Sequence, residues 1–370
     1  MPAERSDRVE LMVGGLVHAG WQRYEIDSSL LIPADAWSVS LATQEAQVPP
    51  ALVPGAAVKV RVGGETVLVG VIDEVSHAVA KSGHQLAING RDSAGMLVDC
   101  SAPIFTAQQV TLDQVIAKIL RPLGVTRHRI DADRSLTRER VTTEPGDTAW
   151  DMLQRAAQAN GLWPWFEPDG ELVVGGPRYD TEPVGTLALR RDGIGNNLLS
   201  LDERRSIAER YSEVTVLGQA SASGAQEGRH NIRAVLKDEG VPTYRPRLVV
   251  DHEATSVEIA RARGSKLISD ASLKAYELRA QVTGHRAPNG KLWAAGQRVR
   301  LVSEPHGLDG IYFVIARRLA GDRNRGQVTQ LTLKEDGVWA LYAHPSKRRH
   351  RRGKNSLPVR IIDATTGAAP

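Results

Sequence analysis

Apolar and polar positions alternate through most of the first hundred residues. Val9, Leu11 and Val13 alternate with polar neighbours until Gly14-Gly15 breaks the run. That period of two predicts a half-buried strand. A second strand is predicted over 21–29. Trp37, Val39 and Leu41 form a third, with Ser38 and Ser40 pointing outward. Pro49-Pro50 and Pro54-Gly55 frame a loop. Residues 55–62 then alternate cleanly, and Gly63-Gly64 has the chemistry of a hairpin turn. Residues 67–75 return, and 85–90 form a further strand after the Lys81-Ser82-Gly83 turn. Many short strands at even spacing predict a small β-barrel over residues 1–99.

The period then lengthens. Thr111-Leu112-Asp113-Gln114 is a capping box, and Leu112, Val115, Ile116 and Ile119 give an apolar helical stripe. Pro122 and Gly124 end that helix. A second helix is predicted after Gly146, with Asp147 as its N-cap and Asp151 in its first turn. Trp150, Leu153 and Ala157 share its apolar face, and Gly161 sits where a left-handed C-terminal cap is needed. A strand follows, with Trp163, Trp165 and Glu167 on one side and Leu162 and Phe166 on the other. Pro168-Asp169-Gly170 turns the chain, and 171–174 return. Three tryptophans and a phenylalanine fall within 17 residues of a chain with only 5% aromatics. Each can bury about 150–250 Å². Trp150, Leu153, Trp163, Trp165 and Phe166 are therefore expected in one local core, in an α/β domain over 100–180.

Beyond it, two strands are predicted around Ile207 and Val214–Val216. A Ser-, Ala- and Gly-rich mobile loop is expected over 219–228. Residues 253–269 read as an amphipathic helix on Val257, Ala260, Leu267 and Ile268, with Gly264 a weak point. Tyr276, Leu278, Ala280 and Val282 alternate as a strand. The next stretch repeats the grammar of the first domain. Gly296-Gln297-Arg298-Val299-Arg300-Leu301 matches Gly55-Ala56-Ala57-Val58-Lys59-Val60. The segment from Gly310 to Ile315 corresponds to that around Gly70-Val71-Ile72, and Leu331-Thr332-Leu333 to Leu86-Ala87-Ile88. A second β-barrel domain is expected over 181–345, with a helix inserted around 253–269 and Trp293 as a barrel-end plug. The fold class is α+β and mainly β: two similar small β-barrels plus a helix-on-hairpin α/β domain.

Composition narrows the function. A chain of 370 residues and 40.2 kDa holds two to four domains. Cys100 is the sole cysteine, so no intramolecular disulfide or multi-cysteine metal site forms; a small buried side chain is expected. The first ten residues are polar, and no run approaches the roughly 20 apolar residues of a membrane span, so a soluble protein made in a cytoplasm is expected. The net charge is +4, but Lys347, Arg348, Arg349, Arg351, Arg352 and Lys354 supply six positive charges with no acid among them. The remainder is slightly acidic, so the pI of about 9.2 describes a tail and not a nucleic-acid-binding body. That run offers a contact for DNA or for an acidic partner, or is simply a solvated part of a basic flexible tail over 346–370.

Enzyme signatures are missing. The sequence has no Gly-x-Ser-x-Gly elbow, no phosphate-binding P-loop and no His-Glu-x-x-His. The ten histidines are scattered, and Asp131 and Asp133 lack the Gly and late Glu of a calcium loop. Paired carboxylates arise by chance among 43 acids, and a solvated surface explains them. No catalytic, cofactor-binding or metal residue is assigned.

Three motifs together resemble one family, the first of them the helix-on-hairpin unit. It comprises Gly146-Asp147-Thr148 with the helix closing on Asn160-Gly161, and the aromatic strand with its Asp169-Gly170 hairpin. The others run from Gly240 to Val250, and from Gly284-His285-Arg286 through Asn289 to Trp293 and Gly296. The chain is similar to the baseplate hub of Mu-like contractile phages, a family related to the late-control D proteins and the spike hub of type VI secretion. The resemblance covers roughly residues 9 to 345 and stops at the tail. It implies a structural, non-enzymatic virion protein: a homotrimeric, pseudo-hexameric adaptor joining a sixfold tail tube to a threefold central spike around a DNA channel. Tube, spike and baseplate wedge proteins would be its partners, with no stable membrane insertion and no cofactor. Alternatives from other classes are a tail-associated cell-wall hydrolase and a type VI secretion spike hub. The latter usually continues into a long repetitive β-spike, which the short segment after the basic run does not resemble.

Overall fold

The structure, a computed structural model, describes residues 7–43, 48–81, 83–131, 138–158, 162–219, 231–251, 254, 257–322, 326–338 and 359–362. The first unit is antiparallel: β1 (Val9–Val13), β2 (Leu16–Ala19), β3 (Arg23–Ser29), β4 (Ala36–Thr43), β5 (Ala57–Val62), β6 (Glu65–Ala80) and β7 (Gly83–Asp92). Their order is β3-β4-β7-β6-β5-β1-β2. Alternation puts Leu11, Ile26, Val39, Val58, Val60, Ile72 and Ile88 inside one core with Trp37. Strand β2 had no clear period in the sequence, and its Leu16 and Val17 are exposed.

The middle unit contains α1 (Ala94–Asp99), β8 (Thr106–Val110), α2 (Leu112–Leu120), β9 (His128–Ile130), β10 (Arg138–Thr142), α3 (Ala149–Gln158), β11 (Trp163–Phe166) and β12 (Leu172–Gly175). Helix α2 starts with the expected capping box, Thr111 accepting from the Gln114 amide and the Gln114 side chain accepting from the Thr111 amide. Helix α3 corrects the sequence reading. Its cap is Thr148, whose Oγ1 accepts from the Asp151 amide at 3.1 Å while Asp151 accepts from the Thr148 amide at 3.2 Å. Asp147 instead bonds Arg155 at 2.8 Å, two turns along. The expected cap at Gly161 lies outside the described residues.

The last part comprises β13 (Thr186–Leu189), β14 (Ser200–Arg205), β15 (Glu213–Gln219), β16 (Asn231–Asp238), β17 (Pro246–Val250), α4 (Val257–Ala275), β18 (Tyr276–Thr283), β19 (Arg298–Ser303), β20 (Leu308–Asp322), β21 (Gly326–Glu335) and β22 (Val359–Ile362). Ile207, expected in a strand, follows β14 in a turn and is exposed. The expected loop over 219–228 lies outside the described residues except for Gln219, which ends β15. Helix α4 covers the sheet β17-β15-β16-β22, with a core of Val214, Val216, Leu236, Ala260 and Ile268. It starts at Val257 rather than 253 and runs six residues past 269. Gly264 is no weak point: a Cβ there would sit 2.3 Å from Leu236 Cδ1, so its absence lets helix and sheet approach. Strand β22, within the expected tail, lies antiparallel on β16, and the rest of 346–370 lies outside the described residues.

Beta strands dominate, and the α+β, mainly β class holds. The internal repeat is geometric. Orders β4-β7-β6-β5 and β18-β21-β20-β19 are equivalent. Gly55 and Gly296 precede β5 and β19 with φ of 83° and 88°, and their amides donate to Ile72 and Val314 at 2.8 Å in both cases. Against β7 and β21 respectively, each long strand carries one bulge at the same place, with Asp73 extra between Ile72 and Glu74, and Ile315 extra between Val314 and Ala316. The expected barrels do not close, however. Among the described residues both repeats belong to one open, 13-stranded sheet. The cause is β20, whose first half pairs with β19 and whose second half turns to β3 of the other repeat.

Candidate assembly interface

The seam between the repeats joins parts of the chain almost 300 residues apart. Residues Ala316–Asp322 of β20 pair antiparallel with Ser29–Arg23 of β3. Gly321 stands opposite Tyr24, and a Cβ at 321 would lie 2.5 Å from the tyrosine ring. The Tyr24 hydroxyl reaches His285 Nε2 at 2.7 Å, and His285 Nδ1 lies 3.0 Å from Thr329 Oγ1. Thr329 already donates its hydroxyl proton to the Gly284 carbonyl at 2.6 Å. His285 therefore carries its proton on Nδ1 and accepts from Tyr24 on Nε2. Burial pushes the imidazole down to about 4 and the Tyr24 phenol up to about 12, so both are neutral across physiological pH. Next to them, Arg286 bonds Asp7 and Glu65 at 2.8 Å each, tying this segment to the first repeat.

Charge runs through the same seam. Arg318 pairs with Glu25 and, at 3.2 Å, with Asp27. Arg317 is fully buried, and desolvation draws its guanidinium down to about 10 against the pull of Asp35 and Asp27. Burial raises the Asp35 and Asp92 carboxyls, although Asp35 accepts from the Ser29 amide and Asp92 from the Ala94 amide, both at 2.9 Å.

The residues singled out in the sequence lie elsewhere. Trp150 and Leu153 are buried in the middle unit's core, against which Phe166 packs from the half-buried side of β11. Trp163 and Trp165 face the opposite way, onto Leu273, Phe313 and Ile315, so the hairpin joins the middle unit to the second repeat. The bulge that makes Ile315 an extra residue lies at that contact. Trp293 is buried in the second repeat's core. Lys347, Arg348, Arg349, Arg351, Arg352 and Lys354 lie outside the described residues. Among the described residues no group of three or more His, Cys, Asp or Glu could hold a metal, and no helix is long and apolar enough to cross a membrane. The seam residues Tyr24, His285 and Gly321 escaped sequence reasoning, apart from the quotation of Gly284-His285-Arg286 as a motif.

This architecture has relatives. Family models match in succession along the chain: a Mu phage baseplate assembly protein GpP-like N-terminal domain at 8–92, a baseplate hub protein gp44-like second domain at 94–176, a tail protein NMB1110-like third domain at 210–268 and a tail protein C-terminal domain at 270–338. A solved tail protein from Neisseria meningitidis MC58 is 34% identical with a TM-score of 0.82, covering 91% of this chain and 99% of that one. The chain belongs to the Mu-like baseplate hub family. The baseplate hub protein gp44 of Escherichia phage Mu is 26% identical over 368 residues, 95% of this chain and 93% of its own length. The 43 kDa tail protein of prophage MuSo2 from Shewanella oneidensis has a TM-score of 0.80 at 26% identity, covering 90% and 99%. This hub protein is accordingly a structural component of a phage tail baseplate.

Proposed function

We propose that this hub protein is a non-enzymatic homotrimer that joins a sixfold tail tube to a threefold central spike around a channel for DNA. The observation that carries the reading is the duplication. Two equivalent four-stranded units per chain give six per trimer, which matches a sixfold ring on one side and a threefold object on the other. Closed cyclic symmetry also prevents head-to-tail growth into filaments. Tube, spike and wedge proteins are the partners this placement requires, with assembly in the host cytoplasm. Residues 1–99, 100–180 and 181–345 serve as first repeat, outer α/β unit and second repeat. The basic run from Lys347 to Lys354 contacts DNA or an acidic neighbour; binding to DNA through six neutralised phosphates would fall steeply with salt. The experiment is light scattering over a concentration series. A mass of three times 40.2 kDa supports the reading, and a dimer or an open-ended distribution refutes it.

A further inference from the structure

The seam inside one chain has an unfilled counterpart. In the second repeat, the half of β20 beyond its bulge is covered by β3. In the first repeat, the equivalent half of β6, from Glu74 to Ala80, pairs with β7 on one side only. No described strand lies along its other side. The strand equivalent to β3 is β14. Strand β3 pairs with β4, putting Tyr24 opposite Val39; β14 pairs with β18, putting Leu201 opposite Ala280. Val39 and Ala280 hold the same place in the two repeats, opposite Ile88 and Leu331. The outer side of β14 is likewise without a described partner. Among the described residues, one repeat thus ends in an empty place for such a strand, and the other ends in the strand.

Resting on the trimeric reading above, we propose that three copies close their ring by pairing the free half of β6 in one copy with β14 of the next. Laying the intrachain seam onto these edges fixes the register. Ser76 stands opposite Arg204 of the neighbouring copy, Ala78 opposite its Asp202 and Val79 opposite its Leu201.

Three features of the chain fit this register. The first is volume. Where Gly321 makes room for Tyr24 inside the chain, the new pair is Val79 with Leu201, two medium side chains in place of one small and one large. The second is exposed apolar surface on the two edges. Val79 is 66% exposed and Leu199, beside the start of β14, is 56% exposed; the pairing brings both into the new seam. The third is charge. Inside the chain the cation Arg318 is on the long strand and the acids Asp27 and Glu25 are on β3. Between copies the signs exchange: Glu74 is on the long strand, and Arg204 is its diagonal neighbour, near enough for a long side chain to reach.

That exchange makes each edge selective. If β14 took the place of β3 on β20, Arg204 would stand opposite Arg318. If β3 took the place of β14 on β6, Asp27 would lie beside Glu74. Like charges meet in both mistakes, although in the first Asp202 would keep the place of Glu25 beside Arg318, so the second mistake is the more strongly opposed. The free half of β6 also lacks proline and lysine, the residues that commonly protect an edge from pairing.

The test is a disulfide in the full-length chain carrying Cys100→Ser. Ala78→Cys with Asp202→Cys places both thiols at exposed, directly opposed positions. Mild oxidation should give a covalent trimer that reductant reverses, whereas Ala78→Cys with Arg204→Cys, two residues out of register, should give little. In parallel, Glu74→Arg should weaken trimerisation several-fold and Glu74→Arg with Arg204→Glu should restore it. A trimer in light scattering that crosslinks in neither pair, or equally in both, overturns this pairing while leaving the trimer intact. A monomer at every concentration overturns the pairing and the trimeric reading together.

Discussion

Acid should loosen the hub at one buried histidine. His285 is fully enclosed, with Tyr24 donating to Nε2 and Thr329 accepting from Nδ1. Protonating Nε2 would break the Tyr24 bond and put a charge beside Arg286 and Arg317, where burial and those two cations already oppose it. The imidazole is drawn from 6.5 to about 4, with the nearby Asp7 carboxylate acting the other way. In the unfolded chain it takes up its proton near 6.5. Between those values the unfolded state binds more protons, so stability is present above 6.5, falls as the pH drops, and is fully lost by about 4. At about 1.4 kcal/mol per pH unit the loss is about 3 kcal/mol. Asp35 and Asp92 work against it, since their raised carboxyls favour the fold at lower pH. The assay is therefore a difference: urea unfolding of the natural protein and of His285→Gln, from pH 7.5 to 4. Gln can still accept from Tyr24 but does not titrate. The gap between the two should shift toward the variant by about 3 kcal/mol on acidification. A gap that stays constant with pH would show that His285 is not held neutral by the seam.

Other perturbations read other contacts. Trp150→Ala should cost about 3–5 kcal/mol in denaturant unfolding, against less than about 0.5 for Gln158→Ala on the same helix; equal costs would mean that the buried face of α3 is misassigned. Gly264→Ala should destabilise despite a helix-propensity gain of about 1 kcal/mol, because Leu236 must move; a more stable variant would refute the close approach of α4 to its sheet. Thr111→Ala should cost about 1 kcal/mol through the lost cap of α2, seen as a lower unfolding midpoint with unchanged m-value. Asp238→Ala should cost about 3–5 kcal/mol, because Asp238 is buried and accepts from Arg210 at 2.8 and 3.2 Å and from the Gly240 amide; a neutral result would show that the pair is solvated.

The contrast between what the sequence disclosed and what it hid has physical causes. Helix α2 was legible because Thr111 and Gln114 are a local device, complete within four residues. The cap of α3 was placed one residue early because Asp147 and Thr148 both can cap; Asp151, three residues on, selects Thr148. The repeat was legible because alternation reports which face of a strand is buried, and both repeats bury the same face. Alternation does not report which strand lies alongside. Two closed barrels and one shared sheet therefore read alike until β20 is seen to pair with β3. The seam lay furthest out of reach, because Tyr24 and Gly321 meet across almost the whole chain and neither is unusual in its own neighbourhood. Gly264 misled for a related reason: glycine weakens an isolated helix, but here its missing side chain is what packs.

The central claim is that the duplicated unit makes a threefold object with six similar faces. Electron cryomicroscopy of the full-length protein, at concentrations where light scattering finds three chains, tests it directly. The account predicts six copies of the four-stranded unit at one radius about a threefold axis, joined alternately by β20·β3 seams within chains and β6·β14 seams between them. Two halves at different radii, or copies joined through the α/β unit instead, would contradict it.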